Sequence, residues 1–414
     1  MAKPLNLLIL IFSLVFLRAS YLNANHLLCY YYQLHQDPNA DKFGTWEGNW
    51  LYAKDASGDY AQLKGPLEDG FVVSSETNQD LQNLCRNSIE KEAGNQFGLL
   101  KMTTGSLFSE KSIAFSDSEV RLIAFGDSLS DDGNIRRFTR LWPINRYFMG
   151  RFSNGPIWTD YLPFTMNASV LNWGYAGGTA ALTQSNIQNP VEWVKDFIKG
   201  HSEDYVSSYI KGLTSNSIMA SDKDVFLFWF GSNDLSKGHS AEEVATAIEN
   251  QIKRIASLGG KRFAVIGLLD FSKSPRKNTQ GISPEGHSEE ILKTIEKLNQ
   301  SHTNIQVAYI DIHRAQNRIF NNQAPSIFEQ EDSFFDYEIQ HEDFSACFHG
   351  SFNNDHEHTC PYLKRAFFYD DIHPTTFGHC WFSLFIHEGL YLAGFTKQKP
   401  DLEVYSSTCK ALNT

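Results

Sequence analysis

Val120-Arg-Leu-Ile-Ala-Phe125 runs straight into Gly126-Asp-Ser-Leu-Ser-Asp-Asp-Gly-Asn134. The first six residues read as a strand. Gly126 permits a tight turn after it, which would expose Ser128 Oγ at the edge of a sheet. The rhythm downstream decides what sheet this is. Val225-Phe-Leu-Phe-Trp-Phe230 is a continuous apolar run, as a strand covered on both faces should be. Phe263-Ala-Val-Ile-Gly-Leu-Leu269 and Ile305-Gln-Val-Ala-Tyr-Ile310 read alike. Between the strands lie helical patterns over 190–212, 240–258 and 286–300, the second opened by a capping-box pair, Ser240 and Glu243. A last helix is expected from about Thr376 to Leu392. Strands alternating with helices imply an α/β fold, a parallel sheet with helices on both faces. In such sheets ligands bind at the carboxyl ends of the strands.

Four short motifs fall at those ends. They are Phe125–Asn134, then Asn172-Trp-Gly-Tyr-Ala-Gly-Gly-Thr179, then Gly231-Ser-Asn-Asp234, then Asp370-Asp-Ile-His-Pro374. Ester hydrolysis by an activated serine needs a nucleophile, a base, a group that orients the base, and donors for the oxyanion. Ser128 supplies the hydroxyl, His373 the base and Asp370 the orienting carboxylate. The oxyanion donors are read as the N–H groups of Ser128 and Gly177 and the side-chain amide of Asn233, with Gly178 left open in place of Gly177. Each motif alone is weak, since Asn-Asp after a strand is ordinary turn chemistry. Their joint occurrence in this order carries the catalytic reading.

The chain has 414 residues with a formal charge of −12, 42% hydrophobic and 20% charged. That balance is globular, and it argues against nucleic acid as partner, because phosphate binding needs a basic face. Lys3 precedes an apolar run over Leu5–Leu17 that Arg18 interrupts, short of the roughly 20 residues that span a bilayer. With Leu22-Asn-Ala24 behind it, residues 1–24 read as a secretory signal peptide, with a retained membrane anchor as the alternative. Removing them takes away Lys3 and Arg18, so 36 basic residues become 34 against 48 acidic ones, a charge of −14. Export makes disulfides the expected state of six cysteines. Residues 25–110, with Tyr30-Tyr-Tyr32, Trp46, Trp50, Tyr52 and Tyr60 among turn signals, read as a small β-rich domain bracketed by Cys29 and Cys85. Residues 103–118 read as a linker, and 119–414 as the hydrolase domain.

The motifs resemble the GDSL, or SGNH, hydrolase superfamily, whose first block is Gly-Asp-Ser-Leu-Ser-Asp-x-Gly-Asn, matched at 126–134. Its third block, Gly-x-Asn-Asp, and its fifth, Asp-x-x-His-Pro, match 231–234 and 370–374. The resemblance implies a flavodoxin-like sheet, a triad of Ser128, Asp370 and His373, an oxyanion hole of Ser128, Gly177 and Asn233, and no cofactor. Here Tyr175-Ala176 shifts the glycine pair by one from the family's usual wording. Gly150-Arg-Phe-Ser-Asn-Gly-Pro-Ile-Trp158, His373-Pro-Thr-Thr376 and the Cys29…Cys85 region resemble the lecithinase and thermolabile-haemolysin branch. That branch implies a secreted bacterial phospholipase A or lysophospholipase acting on phospholipid and lysophospholipid, with cholesterol as an alternative acyl acceptor. It also implies transient contact with a membrane surface. Competing readings are an acetyl esterase on polysaccharide and a catalytically silent adhesin on the same fold.

Asp127, Asp131 and Asp132 read as loop-shaping groups rather than metal ligands. Cys347…Cys360 encloses His349, His356 and His358, at spacings that fit zinc poorly. It reads as a disulfide-closed loop bordering the site, either a lid or a place where an activating protease cuts. Cys380 pairs with Cys409 or stays a buried thiol. Trp142, Tyr147, Phe148 and Phe152 read equally as an exposed acyl or membrane contact and as core.

Overall fold

The computed structural model describes residues 25–34, 46–68, 70–106, 109–140, 142–143, 147–181, 202–215, 219–276, 283–321, 323, 325–326 and 366–411. The leader at 1–24 and the loop Cys347–Cys360 lie outside them. Nearly all of the described residues fall into two compact units, 25–34 with 48–117, and 118–411.

The first unit carries strands β1 (Leu27–Leu34), β2 (Trp46–Tyr52), β3 (Leu67–Glu68), β4 (Phe71–Val73), β5 (Gly98–Ser106) and β6 (Ser109–Ala114). They form one sheet in the order β2-β1-β5-β6-β4-β3. Residues 103–114 are therefore not a linker. Thr104 pairs with Lys111 and Ser106 with Ser109 in an antiparallel hairpin, and β-branched threonines suit that pleat even where they look like spacer residues. A helix over Asn78–Ala93 is also present, although its sequence is mostly polar. Thr77 and Asp80 cap it reciprocally, and Leu81, Cys85 and Ile89 form its buried stripe. Cys85 is bonded to Cys29 of β1, 56 residues away, a closure that stabilises by about 4 kcal/mol in the chain-entropy model.

The second unit is built on β7 (Arg121–Gly126), β8 (Ser169–Gly174), β9 (Asp224–Trp229), β10 (Arg262–Ile266) and β11 (Gln306–Ile310), in the order β11-β10-β9-β7-β8. The β8–β7, β7–β9, β9–β10 and β10–β11 pairings are all parallel. Counted from β7, this is the 2-1-3-4-5 order of flavodoxin-like sheets, with a switch point beside the first strand. Every residue of β7 and β9 is buried, as a sheet covered on both faces requires. Helices Trp158–Thr165, Thr376–Leu392 and Leu402–Ala411 pack together, and Ser202–Ser215, Ala241–Ala256 and Pro284–Ser301 form a second group.

Three details depart from the sequence reading. β8 is a strand that the polar residues in Ser169-Val-Leu-Asn-Trp-Gly174 disguise, because it lies at the edge of the sheet and is only partly buried. The strand expected over Phe263–Leu269 ends at Ile266. Thr376–Leu392 is followed by a further helix, joined to it by the Cys380–Cys409 disulfide. No helix among the described residues is long and apolar enough to cross a membrane.

Candidate active site

The turn after β7 is shaped by two constraints. A Cβ on Gly126 would come within 2.7 Å of both Cβ and Oγ of Ser130, so only glycine fits. Asp127 then closes the turn, its Oδ1 accepting the Leu129 N–H at 3.0 Å. Ser128, half-buried, follows at the carboxyl end of the strand.

Residues 366–376 bring the other two groups to it. The Tyr369 N–H donates to the His373 carbonyl (2.7 Å) and the Thr375 N–H to the Phe367 carbonyl (2.8 Å). That narrow loop sets Asp370 and His373 on one side. His373 Nε2 lies 2.8 Å from Ser128 Oγ. Its Nδ1 lies 2.7 Å from Asp370 Oδ2 and 2.9 Å from Oδ1. Asp370 Oδ1 also accepts the N–H groups of Ile372 (2.9 Å) and His373 (2.7 Å). Burial opposes the charge on Asp370. The imidazole and the donors around it outweigh burial and hold its carboxyl below the usual range.

The 147–152 segment supplies contacts that no sequence signal pointed to. Tyr147 donates its hydroxyl to Asp370 Oδ2 at 2.7 Å. Phe152 covers the His373 ring, with centroids 5.1 Å apart. Tyr147, Phe148 and Phe152 are all buried, so they are not the exposed aromatics of the sequence reading. Trp142 is partly buried and packs against the same cluster. The sequence left core packing open for these residues, but nothing in it singles out Tyr147 from its neighbours.

Gly177 and Asn233, read from the sequence as oxyanion donors, lie on two segments that are tied together. Asp234 accepts the N–H groups of Ala180 (3.1 Å) and Ala181 (2.7 Å), which joins the segment after β8 to the segment after β9. Gly178 donates its N–H to the Tyr175 carbonyl. Among the described residues, the N–H groups of Gly177 and Ser128 meet no protein acceptor. Asn233 Nδ2 donates to Asp127 Oδ2 (3.2 Å) and to the Gly178 carbonyl (3.1 Å), and Ser232 Oγ donates to the same Asp127 oxygen at 2.9 Å. Burial pushes Asp127 up to about 6 against these donors.

The remaining acidic residues of the first motif are engaged by protein donors. Asp131 accepts the N–H groups of Gly133 (2.9 Å) and Ala176 (2.9 Å), and burial pushes it up to about 7. Asp132 pairs with Arg137 at 2.9 Å. The site thus offers a hydroxyl in contact with a base, a carboxylate behind the base, and free N–H groups on adjoining loops. That set can run acyl transfer through a covalent intermediate.

A family model described as GDSL-like Lipase/Acylhydrolase matches residues 122–383. The secreted effector protein SseJ of Salmonella typhimurium is 27% identical over 61% of this chain and 64% of its own length. The thermolabile hemolysin of Vibrio parahaemolyticus is 26% identical over 55% of each chain. The phosphatidylcholine-sterol acyltransferase of Aeromonas hydrophila is 29% identical over 45% of this chain and 53% of its own. The chain therefore spans between about half and two thirds of the length of these relatives.

Proposed function

The chain belongs to the GDSL-like lipase/acylhydrolase family, and from that premise we propose a secreted phospholipase A/lysophospholipase that also passes its acyl group to cholesterol. The observation that carries the reading is the 2.8 Å contact between Ser128 Oγ and His373 Nε2 with Asp370 behind it. His373 takes the Ser128 proton as Oγ attacks the ester carbonyl. Asp370 stabilises the imidazolium that forms. The oxyanion is met by the N–H groups of Ser128 and Gly177. Asn233 joins them by redirecting one of the two amide protons it now gives to Asp127 and Gly178. His373 then protonates the leaving alcohol, and a water or a sterol hydroxyl, deprotonated by the same imidazole, releases the acyl group.

The lipid assignment draws on relatives whose names are a hemolysin and a phosphatidylcholine-sterol acyltransferase. Export draws on the composition of residues 1–24 and on a relative named as a secreted effector. With a charge of −14 after removal of the leader, attachment to a bilayer would rest on apolar contacts rather than on attraction to anionic lipid. The test is to incubate wild type and Ser128→Ala with phosphatidylcholine, lysophosphatidylcholine and an acetylated glycan, with and without cholesterol. Fatty acid release by wild type alone, with sterol ester when cholesterol is added, is the expected result. Activity on the glycan only would remove the lipid reading, and equal outcomes for both proteins would remove the enzyme.

A further inference from the structure

We propose that Tyr147 is a positioning residue for Asp370, its hydroxyl fixing the carboxylate oxygen that lies closer to His373 Nδ1. The inference rests on the Ser128–His373–Asp370 reading and adds a fourth residue to it. The two oxygens of Asp370 are held differently. Oδ1 accepts two N–H groups from its own loop, those of Ile372 and His373. Oδ2 is the oxygen closer to His373 Nδ1. Its other donor among the described residues is Tyr147 Oη, at 2.7 Å and 223 residues away in sequence. The loop alone therefore sets one end of the carboxylate, and a separate segment sets the end that lies closer to the imidazole, 2.7 Å against 2.9 Å.

The tyrosine is built to stay there. It is 1% exposed, and its ring meets Tyr369 edge-on at 5.4 Å and Phe152 at 5.6 Å, in a cluster with Ile135 and Ala176. Burial and the neighbouring Asp370 charge push the phenol far above its ordinary range, so it remains a donor at any working pH. A core tyrosine needs only some acceptor for its hydroxyl. This one uses the carboxylate that orients the base.

The experiment uses the full chain and a p-nitrophenyl ester, with Tyr147→Phe, Asp370→Asn and the double variant. Tyr147→Phe keeps the ring and its packing, and its thermal unfolding is recorded beside the kinetics. A hydrogen bond to a charged group removed from a positioned carboxylate should lower kcat roughly ten-fold. KM should be unchanged, because the Tyr147 side chain is buried away from solvent. In the Asp370→Asn background the same substitution should have little further effect. Wild-type kcat in Tyr147→Phe, or an equal loss with and without Asp370, overturns the positioning role. Asp370→Asn with full activity would instead remove the triad reading on which the proposal stands.

Discussion

The N–H of Gly178 is donated to the carbonyl oxygen of Tyr175 at 3.0 Å. That bond favours Gly177 over Gly178 as the proposed oxyanion donor, because an N–H already used by the loop is not free for an oxyanion. Gly177, at φ +77°, holds a left-handed conformation that L side chains disfavour. Gly177→Ala should therefore turn that peptide, and the loss should approach that of a missing oxyanion donor, about 10²–10³ in kcat. Gly178→Ala acts differently. Its Cβ would meet the Tyr175 carbonyl oxygen at 2.9 Å, so the first effect should be on stability. Steady-state kinetics and thermal melts on both variants separate the two. Equal kcat for wild type and Gly177→Ala would sink the assignment.

Arg151 and Asp160 form a two-bond ion pair, Nε to Oδ2 and Nη2 to Oδ1, both 2.7 Å, with both residues buried. The Asp160 carboxylate also accepts the Ile157 N–H at 2.8 Å, which fixes the start of the helix behind the site. Removing one partner leaves an uncompensated buried charge, a loss of about 3–5 kcal/mol. Arg151→Met should destabilise by that amount in urea unfolding, and Arg151→Met with Asp160→Leu should cost less than Arg151→Met alone. A single-variant loss under about 1 kcal/mol would mean the pair is solvated in solution.

Much of the catalytic unit is legible in the sequence because its physics is local. A strand buried on both faces reads as an apolar run, as Leu122–Phe125 in β7 and Val225–Trp229 in β9 do, and the one charge that opens each strand, Arg121 and Asp224, is paired with the other at 2.7 Å. A turn that must avoid a side chain takes glycine, and Gly126 does. Asp370 and His373 are three residues apart on one loop. What escapes has its cause elsewhere in the chain. Tyr147 becomes informative only through a partner 223 residues away. The helix over Asn78–Ala93 owes its place to one buried stripe, which its polar residues hide. Thr103–Ala114 looks like spacer until the hairpin partner is known.

Cys380 and Cys409 are bonded across a separation of 29 residues and tie the helix Thr376–Leu392 to Leu402–Ala411. The chain-entropy model assigns such a closure about 3–4 kcal/mol. Replacing both cysteines by alanine should lower unfolding stability by that order, since the pair is buried and the bridge staples two elements of the catalytic unit. The hydrolysis rate below the melting transition should be unaffected, because neither cysteine takes part in the Ser128–His373–Asp370 hydrogen bonds. A double variant as stable as wild type would show that the second helix docks without the bridge.

His287 lies on the first turn of the helix Pro284–Ser301, fully buried, and neither ring nitrogen has a hydrogen-bond partner among the described residues. It packs against Gly231, whose Cβ would sit 2.6 Å from Nε2. Burial pushes its imidazole down to about 4. An unfolded chain titrates this side chain near 6.5, so between about 6.5 and 4 it binds the proton and the native state does not. The stability tied to a neutral His287 is thus present at pH 7 and lost as the pH falls through that window. His379 and His387 are pushed the same way, to about 3 and about 4, and Asp127 and Asp131 the opposite way. A single comparison cancels all four. Relative to His287→Leu, wild type should lose about 2 kcal/mol of stability between pH 7 and pH 5, read from urea unfolding at each pH. A wild-type-minus-variant difference that stays constant across that range would show that the imidazole charges in place.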